Sequence, residues 1–347
     1  MLRMWLILFI TITSCIALQQ SLKSSFRNEK QLHTAKRLSD EEIIRLNDLT
    51  NVTNIDEILD NICVVRNVGS PGHDKVRDYI HRSMKDLGWN VDIDHFQSPT
   101  PIFGVLEFDN IIATLNPNAR RYLALACHYD SKYTEEGNFV GATDSAVPCT
   151  QLINLATVMK KQLEPLKTTD VSLMFIFFDG EEAFKSWGPT DSIYGARHLA
   201  KKWHNIKRTY GTENDISNLD RMDMLVLLDL IGAPDMYFYS YFDETARWYL
   251  QLMQAEEKLS NLTLLQNYPH DLSDPKYFKP YSVSSQVEDD HIPFYSRNVP
   301  ILHIIPSKFP SFWHRPEDNR SNIDMVTIEN LNKILRVFIA AYFALDV

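Results

Sequence analysis

Acids and imidazoles stand at four places where apolar runs of this chain stop: His128-Tyr129-Asp130 with Asp144, Asp179-Gly180-Glu181-Glu182, Asp229, and Trp313-His314. Short apolar runs ending in ligand-type side chains are what an open α/β sheet needs, because its strands deliver side chains to one edge. The fold must therefore gather distant segments at one place. Glu181-Glu182 is the tightest constraint. Adjacent carboxylates repel and are rarely set side by side in a cleft without a cation, and one can bind metal while the other handles protons. The set predicts a zinc site.

The surrounding pattern agrees. Residues 110–115, 122–127, 172–178, 224–230 and 300–305 are short and mainly apolar, as buried strands should be. Helical spacing runs over 40–62, with capping-box spacing between Ser39 and Glu42, and over 74–87 after the turn Gly69-Ser70-Pro71-Gly72. Residues 146–162, 192–203, 243–259 and 327–345 also read as helices. This alternation predicts a three-layer α/β domain, a mostly parallel central sheet flanked by helices. With no internal repeat or dividing linker, 39–347 reads as one catalytic domain. Residues 205–221 and 266–285 read as long loops.

The 347 residues are 44% hydrophobic and 23% charged, enough for a sizeable core. Net charge is −10 with no Lys/Arg run, which excludes a nucleic-acid binder and favours amine-bearing over acidic substrates. Arg3, the apolar stretch 4–13 and the small residues Ser14, Cys15 and Ala17 predict a secretory signal over 1–17. The stretch is short of the roughly 20 residues that span a bilayer. No stable membrane partner is expected, the protein is expected to be secreted, and 18–38 reads as a polar, flexible segment. Without Cys15, three cysteines remain, an odd number in an oxidising compartment. Cys127 and Cys149 flank the first cluster and could bridge near it, which would leave Cys63 as a buried thiol. Sequons at Asn51 and Asn261 suit glycosylation; the one at Asn319 lies close to the site.

Each cluster has a plainer reading. His128-x-Asp130 can place an imidazole on a metal with the carboxylate fixing the ring, or form a surface loop. Asp144 could be a helix N-cap. Residues 179–182 could be a solvated helix start. Asp229 interrupts an apolar strand, which is costly unless the carboxylate is hydrogen-bonded or bound to a cation. Glu288-Asp289-Asp290 could be a solvated loop, and Phe309, Phe312 and Trp313 could be core or the wall of a pocket. No phosphate loop, nucleophile elbow or Cys-x-x-Cys knuckle supports nucleotide-dependent or serine-hydrolase chemistry.

Residues 127–132 (CHYDSK), 141–149 (GATDSAVPC), 177–184 (FFDGEEAF), 228–234 (LDLIGAP), 289–294 (DDHIPF) and 312–314 (FWH) closely resemble the animal glutaminyl-peptide cyclotransferase family. The resemblance runs from about residue 39 to the C-terminus, with the motifs in the family's order. It implies a zinc-aminopeptidase-like fold with one zinc per chain, held by Asp144, Glu182 and His314. It makes Glu181 the proton shuttle, supported by Asp229 and Asp289, and sets Trp187, Phe309 and Trp313 around the substrate. Cys127 and Cys149 match the family's disulfide pair. Glu288 departs from the pattern of the secretory form, where glutamine precedes Asp-Asp-His, and puts local substrate contacts in doubt, not the chemistry.

The implied substrate is a peptide or protein with N-terminal glutamine, cyclised to pyroglutamate with release of ammonia; a monomer is expected. Two other readings stand beside it. A zinc aminopeptidase would use nearly the same ligands, with His128 and Asp229 completing a second metal site. The resemblance makes His128 a supporting group instead. A non-catalytic domain of the same fold would not need the complete acid set, in particular Glu181.

Overall fold

Four of the apolar runs form the parallel heart of one sheet. The structure is a computed structural model, and it describes residues 25–210, 213–269, 275–284 and 287–347. The six strands are β1 (Asn90–Thr100), β2 (Gly104–Thr114), β3 (Arg121–His128), β4 (Val171–Phe178), β5 (Met222–Leu228) and β6 (Ile301–Ile304), in the order β1-β2-β4-β3-β5-β6. β4, β3, β5 and β6 are parallel, and β1 and β2 form an antiparallel hairpin against β4. β3, β4 and β5 are buried almost end to end on both faces, hence their unbroken apolar sequences.

Alternation along β3 divides the core. Leu123, Leu125 and Cys127 face the larger layer of α2 (Asp40–Asn47), α3 (Val52–Ile62), α4 (Pro71–Asp86), α5 (Val147–Val158), α7 (Ala246–Asn261) and α8 (Met325–Tyr342). Tyr122, Ala124 and Ala126 face α6 (Tyr194–Asn205) and the turn carrying Phe294. The result is the three-layer α/β architecture expected from the sequence.

Four local expectations are corrected. The segment expected to be loose over 18–38 contains α1 (Ser25–Leu32); its Phe26 is buried against Tyr210, and its Glu29 meets Arg120 and Arg121 at 3.1 Å each. The helical stretch 40–62 is two helices, because the Asn51 side chain caps the Asn54 N–H at 3.0 Å and starts α3 anew. β5 ends at Leu228, so Asp229 stands just beyond the strand. The expected loops carry small two-stranded pairings, Lys207–Tyr210 with Glu213–Ser217 and Phe238–Ser240 with Phe278–Ser282. The signal region 1–17 lies outside the described residues. No helix among the described residues is long and apolar enough to cross a membrane.

Candidate active site

Parallel strands end at a common edge, and this sheet uses that edge. β3 ends in His128, β4 runs into Asp179-Gly180-Glu181-Glu182, β5 into Asp229, and the loop after β6 returns to His314. The register holds His128 beside Phe178 and Ile304 beside Leu228, so the following residues emerge together. The turn after β4 depends on Gly180, whose φ is +66°; a Cβ there would lie 2.4 Å from the Phe108 ring. His314 itself has φ +57°, a conformation that non-glycine residues rarely hold outside constrained sites.

Glu181 and Glu182 are held from below by Asp130, which accepts their backbone N–H groups at 3.0 and 3.2 Å. Burial pushes the Asp130 pKa up, but His128 and these N–H donors outweigh it and keep the acid below its usual range. Asp179 turns away, taking His73 Nε2 at 2.7 Å and the Asp109 N–H at 2.7 Å, so it serves the scaffold. Asp144 caps no helix. Its Oδ1 meets His128 Nε2 at 3.0 Å, and its Oδ2 lies 3.4 Å from His314 Nε2. Glu182 Oε2 pairs with Lys132 at 3.2 Å. Its other oxygen is buried and accepts no hydrogen bond, with His314 Nε2 3.5 Å away.

One ligand atom from each of Asp144, Glu182 and His314 lies within 4.8 Å of the others. All three side chains line one pocket of about 520 Å³. Two carboxylates and an imidazole, with an unpartnered buried oxygen and an open side, fit a tetrahedral cation that leaves one position for substrate. Glu181 lines the same pocket and is buried. Burial raises its pKa well above the ordinary carboxylate range; His128 opposes the rise, and Glu182, Asp289 and Asp290 add to it.

The aromatic predictions converge on the same place. Trp187, Phe309 and Trp313 line the pocket, with Trp313 stacked 3.9 Å from the His314 ring and edge-on to Phe309. Asp229 lines it too, and its pKa is pushed up to about 6 by burial and the Asp289 carboxylate. Asp289 is placed differently from the other predicted groups. It is buried, is not part of the pocket lining, and is bonded to His303 Nε2 at 2.7 Å; its charge acts on both Asp229 and Glu181. The acid run there is no solvated loop, since Asp289 and Asp290 are both buried.

Sequence reasoning missed several groups. Ser145 donates to Asp229. Arg66, fully buried, donates to the carbonyls of Tyr129 (2.7 Å), Val64 (3.2 Å), Gly141 (3.0 Å), Asp144 (3.3 Å) and Val140, and so ties the loop after β3 to the one carrying Asp144. Nothing local marks it; its signal is only a lone arginine after the apolar end of α3. Cys127 and Cys149 are buried side by side, with their sulfurs 2.8 Å apart. Cys63, expected to be buried, is only half-buried, because it sits at the C-cap of α3. Asn51 and Asn261 are exposed, while Asn319 donates its amide to Pro316 at 2.8 Å.

A second grouping shares Asp144. His128 Nε2 lies 3.4 Å from Asp229 Oδ1, and His128, Asp144 and Asp229 could together hold a cation of their own. Sheet, edge and clustered ligand-type groups are those of the zinc-aminopeptidase-like fold, and the model of Peptidase family M28 matches residues 110–339. A glutaminyl-peptide cyclotransferase of Drosophila melanogaster is 51% identical over 315 residues, covering 89% of this chain and 86% of that protein. One of Bos taurus is 45% identical over 331 residues, covering 91% and 90%. The crystal structure of Macrostomum lignano glutaminyl cyclase superposes with a TM-score of 0.82 at 38% identity, covering 90% of this chain and 95% of that one. The chain belongs to Peptidase family M28 and, within it, to the glutaminyl-peptide cyclotransferases, a family of enzymes.

Proposed function

We propose that this enzyme converts the N-terminal glutamine of peptides and proteins to pyroglutamate with release of ammonia, using one zinc held by Asp144, Glu182 and His314. The observation that carries the reading is Glu181, a buried carboxylate beside a ligand carboxylate, facing a pocket with aromatic walls. Zinc bound there supplies Lewis-acid polarisation of the substrate's side-chain carbonyl. Trp187, Phe309 and Trp313 enclose the terminal residue and keep its α-amine against the side-chain carbon, so the tethered nucleophile needs little further ordering. As the new C–N bond closes, Glu181 takes a proton from the amine. It returns one to the side-chain nitrogen as the old C–N bond breaks and ammonia leaves. Asp289, behind the pocket, raises the Glu181 pKa and so favours the protonated form that returns the proton.

Incubating the purified enzyme with a glutaminyl peptide and weighing the product tests this: loss of ammonia supports cyclisation, and an unchanged mass contradicts it. The His128–Asp144–Asp229 grouping favours a second reading, a two-metal aminopeptidase, which would release a whole residue instead. Ser145 and His128 already engage Asp229, and aromatic rings wall the pocket, which favours cyclisation.

The signal reading, secretion, a monomeric state, glycans on Asn51 and Asn261, and a Cys127–Cys149 bridge belong to the same proposal. The Asn51 cap uses only its side-chain oxygen, which leaves the amide nitrogen for a sugar. The bridge would close a loop of about 20 residues and add about 3 kcal/mol in the chain-entropy model. Recovery of both cysteines as alkylated thiols from secreted protein contradicts it.

A further inference from the structure

The pocket grades from a buried floor to an exposed mouth. Asp144, Glu181 and Glu182 are at most 6% exposed, whereas Trp187 and Trp313 are 40% and 39% exposed. Glu288 is exposed as well. A reacting N-terminal residue must sit on the floor, so the peptide leaves past the mouth. Among the described lining residues, Glu288 is the one charged side chain that is exposed, and Lys132 is spent on Glu182. The exposed charge that the lining itself presents at the mouth is therefore negative.

The two tryptophans differ. Trp313 stacks on His314 and meets Phe309 edge-on. Trp187 is held by an edge: its Nε1–H donates to Glu288 Oε2 at 2.9 Å, across 101 residues of sequence. Among the described residues no aromatic ring or cation covers its faces, and the second Glu288 oxygen accepts no hydrogen bond. An open indole face beside a tethered carboxylate is the pairing that takes a cationic side chain, which can lie on the ring and meet the acid.

We propose that Trp187 and Glu288 form a subsite for the side chain of the substrate's second residue, and that it selects lysine or arginine over glutamate or aspartate. This rests on the cyclisation reading above. Glu288 touches no reacting atom; it sets which peptides are used.

The test compares kcat/KM for otherwise identical peptides beginning Gln-Lys, Gln-Ala and Gln-Glu, for the zinc-loaded wild type, Glu288→Gln and Trp187→Phe. For the wild type, Gln-Lys should exceed Gln-Glu by roughly three- to tenfold at low salt, the size expected of an exposed ion pair with a cation on a ring. The ratio should shrink as salt rises. It should fall to about one to two in Glu288→Gln. Trp187→Phe, which keeps a ring but loses the tether, should give an intermediate ratio. A wild-type ratio near one, or a ratio unchanged in Glu288→Gln, overturns the subsite while leaving the reaction intact. A preference that follows charge at the third residue and not the second overturns the assignment. If no glutaminyl peptide is cyclised at all, the reaction falls and the subsite with it.

Discussion

The carboxylate of Asp130 accepts the backbone N–H of Glu181 at 3.0 Å, so the loop after β3 fixes the loop after β4. The same carboxylate holds the Glu182 N–H and stands 3.4 Å from His128 Nδ1. One buried side chain thus sets the spacing between Glu181 and Glu182, the proposed proton-transfer group and a proposed metal ligand. Asp130→Asn keeps the shape but turns an amide donor toward an N–H. Turnover should fall by about 10- to 100-fold, as for other groups that orient ligands. Steady-state rates with metal content measured alongside check this; wild-type turnover would remove the role.

In the proposed reaction, Glu181 and Glu182, neighbours in sequence, have separate tasks. Glu181→Gln should keep its metal while losing roughly 10²–10⁴-fold in turnover. Glu182→Gln removes a ligand charge and should lose metal first. Metal analysis after dialysis, paired with turnover, separates the two, and equal metal loss in both variants would contradict the division.

Arg66 has five carbonyl partners from the loops that shape the site and no carboxylate. Arg66→Met fills part of the volume but strands buried acceptors. It should lower stability by about 3 kcal/mol or more. Chemical denaturation measures this, and a change under about 0.5 kcal/mol, ordinary for a surface site, would show that the loops hold themselves.

His291 gives a pH dependence. It is buried beside His303, Asp289 and Phe242, and burial with the His303 charge outweighs Asp289 and holds its pKa down to about 3. An unfolded histidine titrates near 6.5, at about 1.4 kcal/mol per pH unit of difference. Above that pH both states are neutral and the residue contributes no slope. Below it the unfolded chain takes a proton the fold refuses, so stability falls as pH drops toward 3. From pH 6 to 4.5 this amounts to up to about 2 kcal/mol. His291→Gln should flatten that part of the curve in denaturant titrations; identical slopes would contradict it.

The sheet edge was readable because buried parallel strands must be apolar throughout, and each run stops where a polar side chain emerges. The hairpin strand β1 was not, because at the sheet edge Asp92, His95 and Gln97 face outward or half-outward and leave no apolar run. Its eleven-residue pairing with β2 supplies the extended shape instead. The break in the stretch 40–62 turns on one cap, Asn51, which a continuous helical spacing hides. Within the site, motifs were enough to single out the acids, His314 and the aromatic residues that the structure gathers in one pocket. The Asp289–His303 bond, the Arg66 tie and the Trp187–Glu288 bond are contacts between residues apart in sequence, which no local pattern encodes.

The central claim is that a single-zinc site at this sheet edge cyclises glutamine and does not cleave peptides. The direct measurement adds zinc stepwise to chelator-stripped enzyme, with a glutaminyl and a leucyl peptide present, and follows both masses. The account predicts that activity saturates at one equivalent, that the glutaminyl peptide loses ammonia, and that the leucyl peptide stays intact. Saturation at two equivalents with release of free leucine would contradict it and install the aminopeptidase reading in its place.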